Sequence, residues 1–390
     1  MRRLLLARGM RAFCDGYVAV LLPAYLQALG WGAVQIGVLG TLTLAGSALA
    51  TLALGRFGHR LAPRRALLAA SALMAATGVG FAGFSSFWPL AVVAFFGTLN
   101  PSSGDVSVFL PLEHARLAEA GGDRDQRTRL FARYSLTGAL CASVGALAAG
   151  IPAVLHAHWG ADTLATMRAM FLLYAGVGLG VAWLYRGFGN GRPVDEAPPA
   201  PLTASRSIVW RLAALFSIDA FAGGLLVNSI LALWLFERFD LSVASAGEFF
   251  FFAGLLATLS QLAAPVVARR IGLVNTMVFT HLPANLLLIA AALAPSLPWA
   301  LAALFARSAL SQMDVPTRSA FVMSVVTPAE RVAAASFTAV PRSLASAAGP
   351  AIGGWLLAAG ALAGPLVACG ALKIAYDLSL WWAFRNHHVE

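Results

Sequence analysis

Twelve stretches of about 20 mainly apolar residues follow one another along this chain, separated by short polar connections. A helix needs about that length to cross the hydrocarbon core of a bilayer. The composition agrees, because 59% of the residues are hydrophobic and only 11% are charged, whereas a soluble domain carries roughly 25% charged residues. We therefore expect an all-α protein embedded in a membrane. The stretches are residues 12–29, 34–54, 66–84, 88–110, 131–153, 168–185, 209–236, 246–267, 273–294, 299–325, 333–359 and 362–384.

The longest polar connection lies between the sixth and seventh stretches. Residues 186–208 contain Pro193, Pro198, Pro199 and Pro201, a composition typical of a linker. The sequence thus predicts an N-terminal six-helix bundle over 1–185, a cytoplasmic linker over 186–208 and a C-terminal six-helix bundle over 209–390. The first stretch is interrupted by charged residues, so we expect a retained helix rather than a cleaved signal.

The arginines predict the orientation of the helices. Of the 27 basic residues 26 are Arg, and with the N-terminus inside, 21 arginines fall on the inner side and only Arg168 and Arg238 fall in outer loops. Such a bias is the positive-inside pattern, which places both termini in the cytoplasm. Because the basic residues follow the loops, the net charge of +10 does not indicate nucleic-acid binding. The expected location is the cell inner membrane, with the bilayer as partner of a multi-pass monomer.

The two halves share residues at matching positions, including costly charged ones. An acid in hydrocarbon costs about 2.5–3.5 kcal/mol on insertion scales, so it is rarely kept without a use. Two pseudo-symmetric bundles with polar residues near mid-span are the arrangement that a secondary transporter uses. Phe96, Asp105, Val106, Arg133 and Gly145 recur 209 residues later as Phe305, Asp314, Val315, Arg342 and Gly354, and Asp15 recurs 204 residues later as Asp219.

The tenth stretch carries a polar stripe. Arg307, Ser311, Asp314 and Arg318 have spacings that place them on one face of a continuous helix. The matching positions of the fourth stretch are Thr98, Ser102, Asp105 and Phe109. Asp314 and Arg318 can instead form a structural i, i+4 ion pair, whereas Asp105 has no base one turn away. Pro101 and Pro316 lie beside the two acids and predict either a break or a simple kink.

Asp219 and Asp15 form the second pair of acids. Asp219 lies about ten residues into the seventh stretch without a base at i±3 or i±4, whereas Asp15 lies one turn from Arg11. A desolvated acid of this kind can load a proton on one side of the membrane and release it on the other. For Lys373 and Asp377, one turn apart, we expect mutual neutralisation. The predicted proton-coupling residues are Asp219, Asp105, Asp314 and Asp15. The predicted substrate-binding residues are Arg307, Ser311, Arg318, Asn100, Ser102, Asn228 and Tyr25.

Three segments resemble a known family. They are Asp15-Gly-Tyr-Val-Ala-Val-Leu-Leu-Pro23, Gly55-Arg56-Phe57-Gly58-His59-Arg60-Leu-Ala-Pro-Arg64-Arg65, and Thr327-Pro-Ala-Glu-Arg331. They look like the first helix and the inner loops of major facilitator superfamily transporters, and most like the drug:proton antiporters. The resemblance makes Arg56, Gly58, Arg60, Arg64 and Arg65 an inner-loop motif. The acid of that motif is replaced by Gly55, so the electrostatic latch it provides in the family must be missing or supplied by another group.

Together these observations predict a proton-coupled secondary transporter that exports a small molecule by alternating access. It needs no cofactor and no metal site, and it is not an enzyme. One alternative is a metal-ion or organic-anion carrier, since Arg307, Arg318 and Arg342 would suit an anion. A membrane-embedded sensor or enzyme is the alternative from another class. It would need a soluble output domain or a convergent catalytic set, and the sequence contains neither.

Overall fold

The computed structural model describes residues 1–57, 62–102, 107–120, 124–188, 202–327 and 330–385. Every regular element in these residues is a helix, and there are sixteen of them. Eight helical stretches of the described chain are long and apolar enough to cross a membrane. The contacts divide the chain into two compact units, one of Met1–Asp195 with Asn228–Phe251 and one of Glu196–Val227 with Phe252–Glu390.

The first unit contains eight helices and α10, together with the start of α11. They are α1 (Arg2–Ala28), α2 (Ala33–Phe57), α3 (Pro63–Gly83), α4 (Phe87–Phe96), α5 (Phe109–Ala120), α6 (Arg124–Ala148), α7 (Ile151–Trp159), α8 (Thr163–Arg186) and α10 (Asn228–Phe239). The second unit contains α9 (Arg206–Leu225), most of α11 (Val243–Ile271), α12 (Leu273–Ala292), α13 (Leu297–Ser308), α14 (Asp314–Val325), α15 (Arg331–Ala358) and α16 (Gly364–Phe384).

Four of the predicted stretches are interrupted rather than continuous. The fourth stops at Phe96, the fifth at Ala148, the seventh at Leu225 and the tenth at Ser308. Three of these breaks lie next to a proline, at Pro101, Pro152 and Pro316. A proline lacks the N–H of the helical hydrogen bond and is tolerated best in a first turn, which is where Pro152 and Pro316 stand.

The break in the fourth stretch corrects one expectation. Thr98 and Ser102 lie outside any helix, so the stripe predicted for that stretch does not exist as a helix face. Asp105 lies outside the described residues.

Both units contain helices that touch backbone to backbone at a glycine. In the first unit, a Cβ added to Gly16 of α1 would stand 2.0 Å from the carbonyl oxygen of Ala142 in α6. In the second unit, a Cβ added to Gly224 of α9 would stand 2.2 Å from the carbonyl oxygen of Ser346 in α15. Only glycine fits at such a separation, so these residues set how closely the two helix pairs approach.

A carboxylate joins the loop before α15 to the start of α9. Glu330 Oε1 accepts hydrogen bonds from the backbone N–H groups of Thr203 at 2.7 Å and Ala204 at 3.0 Å, and from the Thr203 hydroxyl at 2.8 Å. Its Oε2 accepts from the N–H of Ser205 at 2.9 Å. These donors favour the ionised form, so hydrogen bonds from Ser205 and Thr203 hold the pKa of Glu330 well below its usual value. Glu330 is the acid of the segment Thr327–Arg331 that carries part of the family resemblance.

Candidate functional site

Asp219 lies at the centre of a buried ionic network in the second unit. Its Oδ1 lies 2.5 Å from Lys373 Nζ, and its Oδ2 lies 3.2 Å from Arg318 Nη1. Arg318 in turn pairs with Asp314 one turn earlier on α14. We call these four residues the Asp219 cluster. It joins α9, α14 and α16 through charged contacts, so it ties together three helices that are far apart in sequence.

The Asp219 cluster is electrically balanced. Two carboxylates face two cations, and Asp219 and Asp314 are each only 4% exposed. Burying a lone charge costs several kcal/mol, whereas a balanced and hydrogen-bonded group is tolerated. The expectation that Asp219 lacks a nearby base is therefore wrong for the folded chain. Both of its partners come from other helices, and neighbours on the same helix cannot reveal them. The alternative i, i+4 pair of Asp314 and Arg318 is confirmed.

A second buried group lies one helical turn away on α16. Asp377 Oδ1 lies 2.9 Å from Nδ1 of His281, and Asn285 Nδ2 donates to Asp377 Oδ2 at 3.1 Å. His281 and Asn285 both belong to α12. We call these three residues the His281 site. The predicted neutralisation of Lys373 by Asp377 is wrong, because Lys373 forms its ion pair with Asp219, and Asp377 contacts His281 and Asn285 of α12.

Two arginines of the second unit stand apart from the Asp219 cluster. Arg307 lies in the last turn of α13, and Arg342 is exposed on α15. Neither makes an ion pair within the described part of the chain, although the charge of Asp314 acts on both. Because α13 ends at Ser308, Arg307 and Asp314 do not share one continuous helix, which corrects the predicted stripe. Ser311 is buried in the turn between them.

The first unit has a buried carboxylate of its own. Glu113 on α5 pairs with Arg11 of α1 and accepts hydrogen bonds from the hydroxyls of Tyr134 and Tyr185. The Arg11 guanidinium also lies 4.1 Å from the centre of the Phe109 ring. We call Glu113, Arg11 and the two tyrosines the Glu113 cluster. Glu113 lies beyond the end of the fourth apolar stretch, so hydrophobicity gave no reason to select it.

The two units place opposite charges on corresponding helices. In the first unit the base, Arg11, is on the opening helix and the acid, Glu113, is on the helix after a break. In the second unit the acid, Asp219, is on the opening helix and the base, Arg318, is on the helix after a break. The ionic link between these helices thus exists in both units with its polarity reversed.

Other predicted substrate residues occupy the first unit, where the N–H of Ser229, next to Asn228, donates to the carbonyl of Pro101, between Asn100 and Ser102, at 3.1 Å. Tyr25 is fully buried, and its hydroxyl donates to the carbonyl of Phe81 at 2.6 Å. Its hydroxyl is thus bound to the backbone of α3 in this structure, and its assignment to a substrate site stays a prediction. Asn100 is buried and accepts a hydrogen bond at 2.7 Å from the hydroxyl of Ser102. Asn228 opens α10 and is half-buried.

The remaining predicted residues belong to α1 and the inner loop. Asp15 is half-buried on α1, and its charge acts on Arg11. Arg56 stands in the last turn of α2, and Arg64 and Arg65 stand in the first turn of α3. Gly58 and Arg60 lie outside the described residues.

Comparison with known proteins decides the family. The sequence profile of the Major Facilitator Superfamily matches residues 4–312, well over half of the chain. The chain belongs to the Major Facilitator Superfamily. Members of this superfamily are transporters and not enzymes, so the protein is a multi-pass membrane transporter.

Relatives of this superfamily member resemble it along nearly their whole length. The uncharacterized membrane protein YJR124C of Saccharomyces cerevisiae is 24% identical over 407 residues, which covers 95% of this chain and 91% of that protein. The crystal structure of the nucleoside transporter NupG has a TM-score of 0.75 at 15% identity and covers 99% of each chain. That of a D-xylose–proton symporter has a TM-score of 0.74 at 15% identity and covers 97% of each chain. At these identities the likeness to the solved structures shows the fold alone.

Proposed function

We propose that this transporter couples the movement of a small molecule to protons, and that it exports its solute from the cytoplasm. The proposal includes twelve spans, cytoplasmic termini and a place in the inner membrane, as the arginine distribution predicts. Export rests on the resemblance of its first helix to drug:proton antiporters. Alternating access follows from the fold, in which two repeats move around a central solute.

The Asp219 cluster is the observation that carries proton coupling. Protonation of Asp219 would remove one negative charge from a balanced and buried set, and Lys373 or Arg318 would be left without a counter-charge. Such an imbalance is costly in a low-dielectric interior. The two protonation states of Asp219 therefore favour different arrangements of α9, α14 and α16, and such a difference in stability shifts the populations of a two-state protein.

The first experiment identifies a solute and then tests coupling. The purified protein is screened by thermal shift against nucleosides, monosaccharides, dipeptides, organic anions and lipophilic cations, because a bound solute stabilises by mass action. The solute that stabilises most is then loaded into proteoliposomes, and its flux is followed with and without an imposed pH gradient.

Coupling predicts that the gradient drives the solute against its concentration. Asp219→Asn should abolish the response to the gradient, and Asp15→Asn should keep most of it, since Asp15 is only half-buried. Solute exchange without a gradient should persist in both variants. A wild-type flux that ignores the pH gradient would reject the proposal.

An organic anion is a second candidate solute class, and the unpaired arginines favour it. The intramembrane charges of the Asp219 cluster, the His281 site and these arginines comprise four cations (Arg307, Arg318, Arg342 and Lys373) and three acids (Asp219, Asp314 and Asp377). At least one positive charge therefore remains, whether or not the His281 site holds a further proton, and an anionic solute would offset it. The screen tests this with each anion beside its neutral amide, and equal stabilisation by both would reject an anion preference.

A further inference from the structure

The His281 site contains ionisable groups that the Asp219 cluster does not use. His281, Asn285 and Asp377 are all buried, and Asp377 is 1% exposed. From this geometry we propose that the site binds one proton and is a second proton-binding site beside Asp219. That the site binds a proton is argued from its geometry alone. That this proton takes part in transport rests on the proposed function.

The charges around the site leave His281 as the group that can neutralise Asp377. Helix α12 packs against α13, α14 and α16. The charged or titratable groups on those helices are Arg307 on α13, Asp314 and Arg318 on α14, and Cys369, Lys373, Tyr376 and Asp377 on α16. The charges of Asp219 on α9 and of His281 also act on each other.

Most of these groups are already balanced. Lys373 and Arg318 bind Asp219 and Asp314, and Arg307 makes no ion pair with any described residue. Tyr376 lies with its ring 6.3 Å from that of His281 and carries no charge to offset a carboxylate. Among the described residues that hydrogen-bond to Asp377, only His281 can carry a positive charge.

Hydrogen bonding within the site favours the state that holds the extra proton. Nδ1 of His281 and Oδ1 of Asp377, 2.9 Å apart, must share a proton, since two bare acceptors at that distance would repel. With only that proton the site carries one net negative charge, and with one more proton it is neutral. A net charge in so buried a place is unfavourable, so burial selects the neutral, proton-loaded state. The Oδ1 of Asn285 is also a buried acceptor without a hydrogen-bond partner among the described residues.

The position of the site links it to the Asp219 cluster. Lys373 and Asp377 are one turn apart on α16, and they bind Asp219 on α9 and His281 on α12. A displacement of α16 that opens one contact therefore also loosens the other. Hydration of the opened site would remove the penalty on its charged state and let the extra proton leave.

The test measures the proton itself. The full-length protein in lipid nanodiscs, labelled with ¹³C and ¹⁵N histidine, is followed by NMR over a pH range of about 5–8, where an imidazole in water changes charge. Infrared spectroscopy follows the carboxyl stretching band of protonated Asp377. Signals of His281 are assigned with His281→Gln, and exposed His158 in the other unit, assigned with His158→Gln, serves as the control.

The proposal predicts that the site stays neutral in every variant. In the wild-type protein at neutral pH, either His281 is a charged imidazolium or Asp377 shows a protonated carboxyl band. Asp377→Asn should make His281 a neutral imidazole, and His281→Gln should make Asp377 a protonated carboxyl, while His158→Gln changes neither. A neutral imidazole together with an ionised Asp377 in the wild-type protein would overturn the proposal, as would an Asp377 that remains ionised in His281→Gln.

Two sets of outcomes separate this proposal from the proposed function. A site that holds its proton in a protein whose solute flux ignores the pH gradient rejects proton coupling alone. A gradient-driven transporter whose His281 site holds no extra proton rejects the present inference alone. If Asp377→Asn does not give a monodisperse protein, His281→Gln decides by itself.

Discussion

At the scale of single residues, the balance of the Asp219 cluster makes a prediction about stability. Asp219→Asn leaves Lys373 buried without a counter-charge, and breaking a buried ion pair from one side costs about 3–5 kcal/mol. The double variant Asp219→Asn with Lys373→Gln removes both charges and should recover most of that loss. Thermal unfolding of the wild type, the two single variants and the double variant forms a double-mutant cycle, which measures the coupling between the two residues. A double variant less stable than Asp219→Asn alone would contradict the balanced arrangement.

Arg307 provides the second prediction at this scale. The residue lies in the last turn of α13, is half-buried and makes no ion pair with described residues, so its charge contributes little to folding. Arg307→Ala should lower solute binding and flux at least tenfold while expression and thermal stability change little. Arg307→Lys should restore only part of the activity, because a point ammonium does not replace a forked guanidinium. Normal flux in the alanine protein would show that Arg307 is not part of the solute site.

Residue partners were predictable from the sequence only where they lie on the same helix. Spacing alone gave the Asp314–Arg318 pair as an alternative to a polar stripe, and the structure contains that pair. The same argument failed for Lys373 and Asp377, because each has a partner on another helix that satisfies its charge. His281 and Glu113 were missed for a related reason. Their roles depend on residues 96 and 102 positions away, and one sequence contains no signal for such pairings.

At the scale of helices, the glycine contacts predict which substitutions the fold rejects. Gly16→Ala places a methyl group 2.0 Å from a backbone oxygen of α6, so the helices must separate, and overpacking of this kind costs about 1–3 kcal/mol. Gly176→Ala on α8 is the matched control, since a Cβ there meets no heavy atom within 4 Å. Thermal stability should fall in the first variant and hold or rise in the second. Equal stability of the two variants would mean that α1 and α6 are not in backbone contact.

Glu330 supplies a pH-dependent link between elements. Hydrogen bonds from Ser205 and Thr203 lower the pKa of Glu330 in the folded protein. Ionised Glu330 therefore stabilises the fold at a pH above the pKa that it has in the unfolded chain, and this stabilisation is lost as the pH falls through its pKa in the folded protein. Glu330→Gln should therefore lower the thermal stability at neutral pH, and the difference from the wild type should shrink in acid. A difference that does not change with pH would indicate that the charge of Glu330 is not involved.

Proline gave a partial guide to the breaks in the helices. Pro101, Pro152 and Pro316 adjoin breaks, yet Pro23, Pro265, Pro283, Pro341 and Pro350 stand inside α1, α11, α12 and α15. The break at Leu226 and Val227 has no proline at all. A proline removes one hydrogen bond, and packing against neighbouring helices decides whether the chain kinks or stops there. The sequence therefore predicted an all-helical chain, but it did not predict where the helices are interrupted.

At the scale of the whole molecule, the arginine pattern predicts a topology that labelling can test. In a variant without Cys14, Cys141 and Cys369, a cysteine at the exposed Ser296 should react with a membrane-impermeant thiol reagent on intact cells. A cysteine at the exposed Ser207 should react only after the membrane is opened. Both positions are helix ends in the described chain. Labelling of Ser207→Cys on intact cells would reverse the proposed orientation.

Fold class and family were predictable because they depend on features spread along the chain. Apolar length, arginine bias and loop motifs each average over many residues, so single errors matter little. The site depends on a few side chains whose partners are distant in sequence. For that reason the transport class was accessible from the sequence, whereas the Glu113 cluster and the His281 site required the structure.

The neutrality of the Asp219 cluster has an electrical consequence. Because two acids offset two bases there, movement of the cluster in the membrane carries no net charge, and the membrane voltage does no net work on the cluster itself. Over a complete cycle the protein returns to its starting state, so the net work is done on the proton and the solute. That work is about 2.3 kcal/mol per elementary charge for each 100 mV. A cycle that exchanges one entering proton for a neutral solute thus moves one charge, and a cycle that expels a singly charged anion moves two. The steepness of transport with voltage would therefore report the charge of the solute.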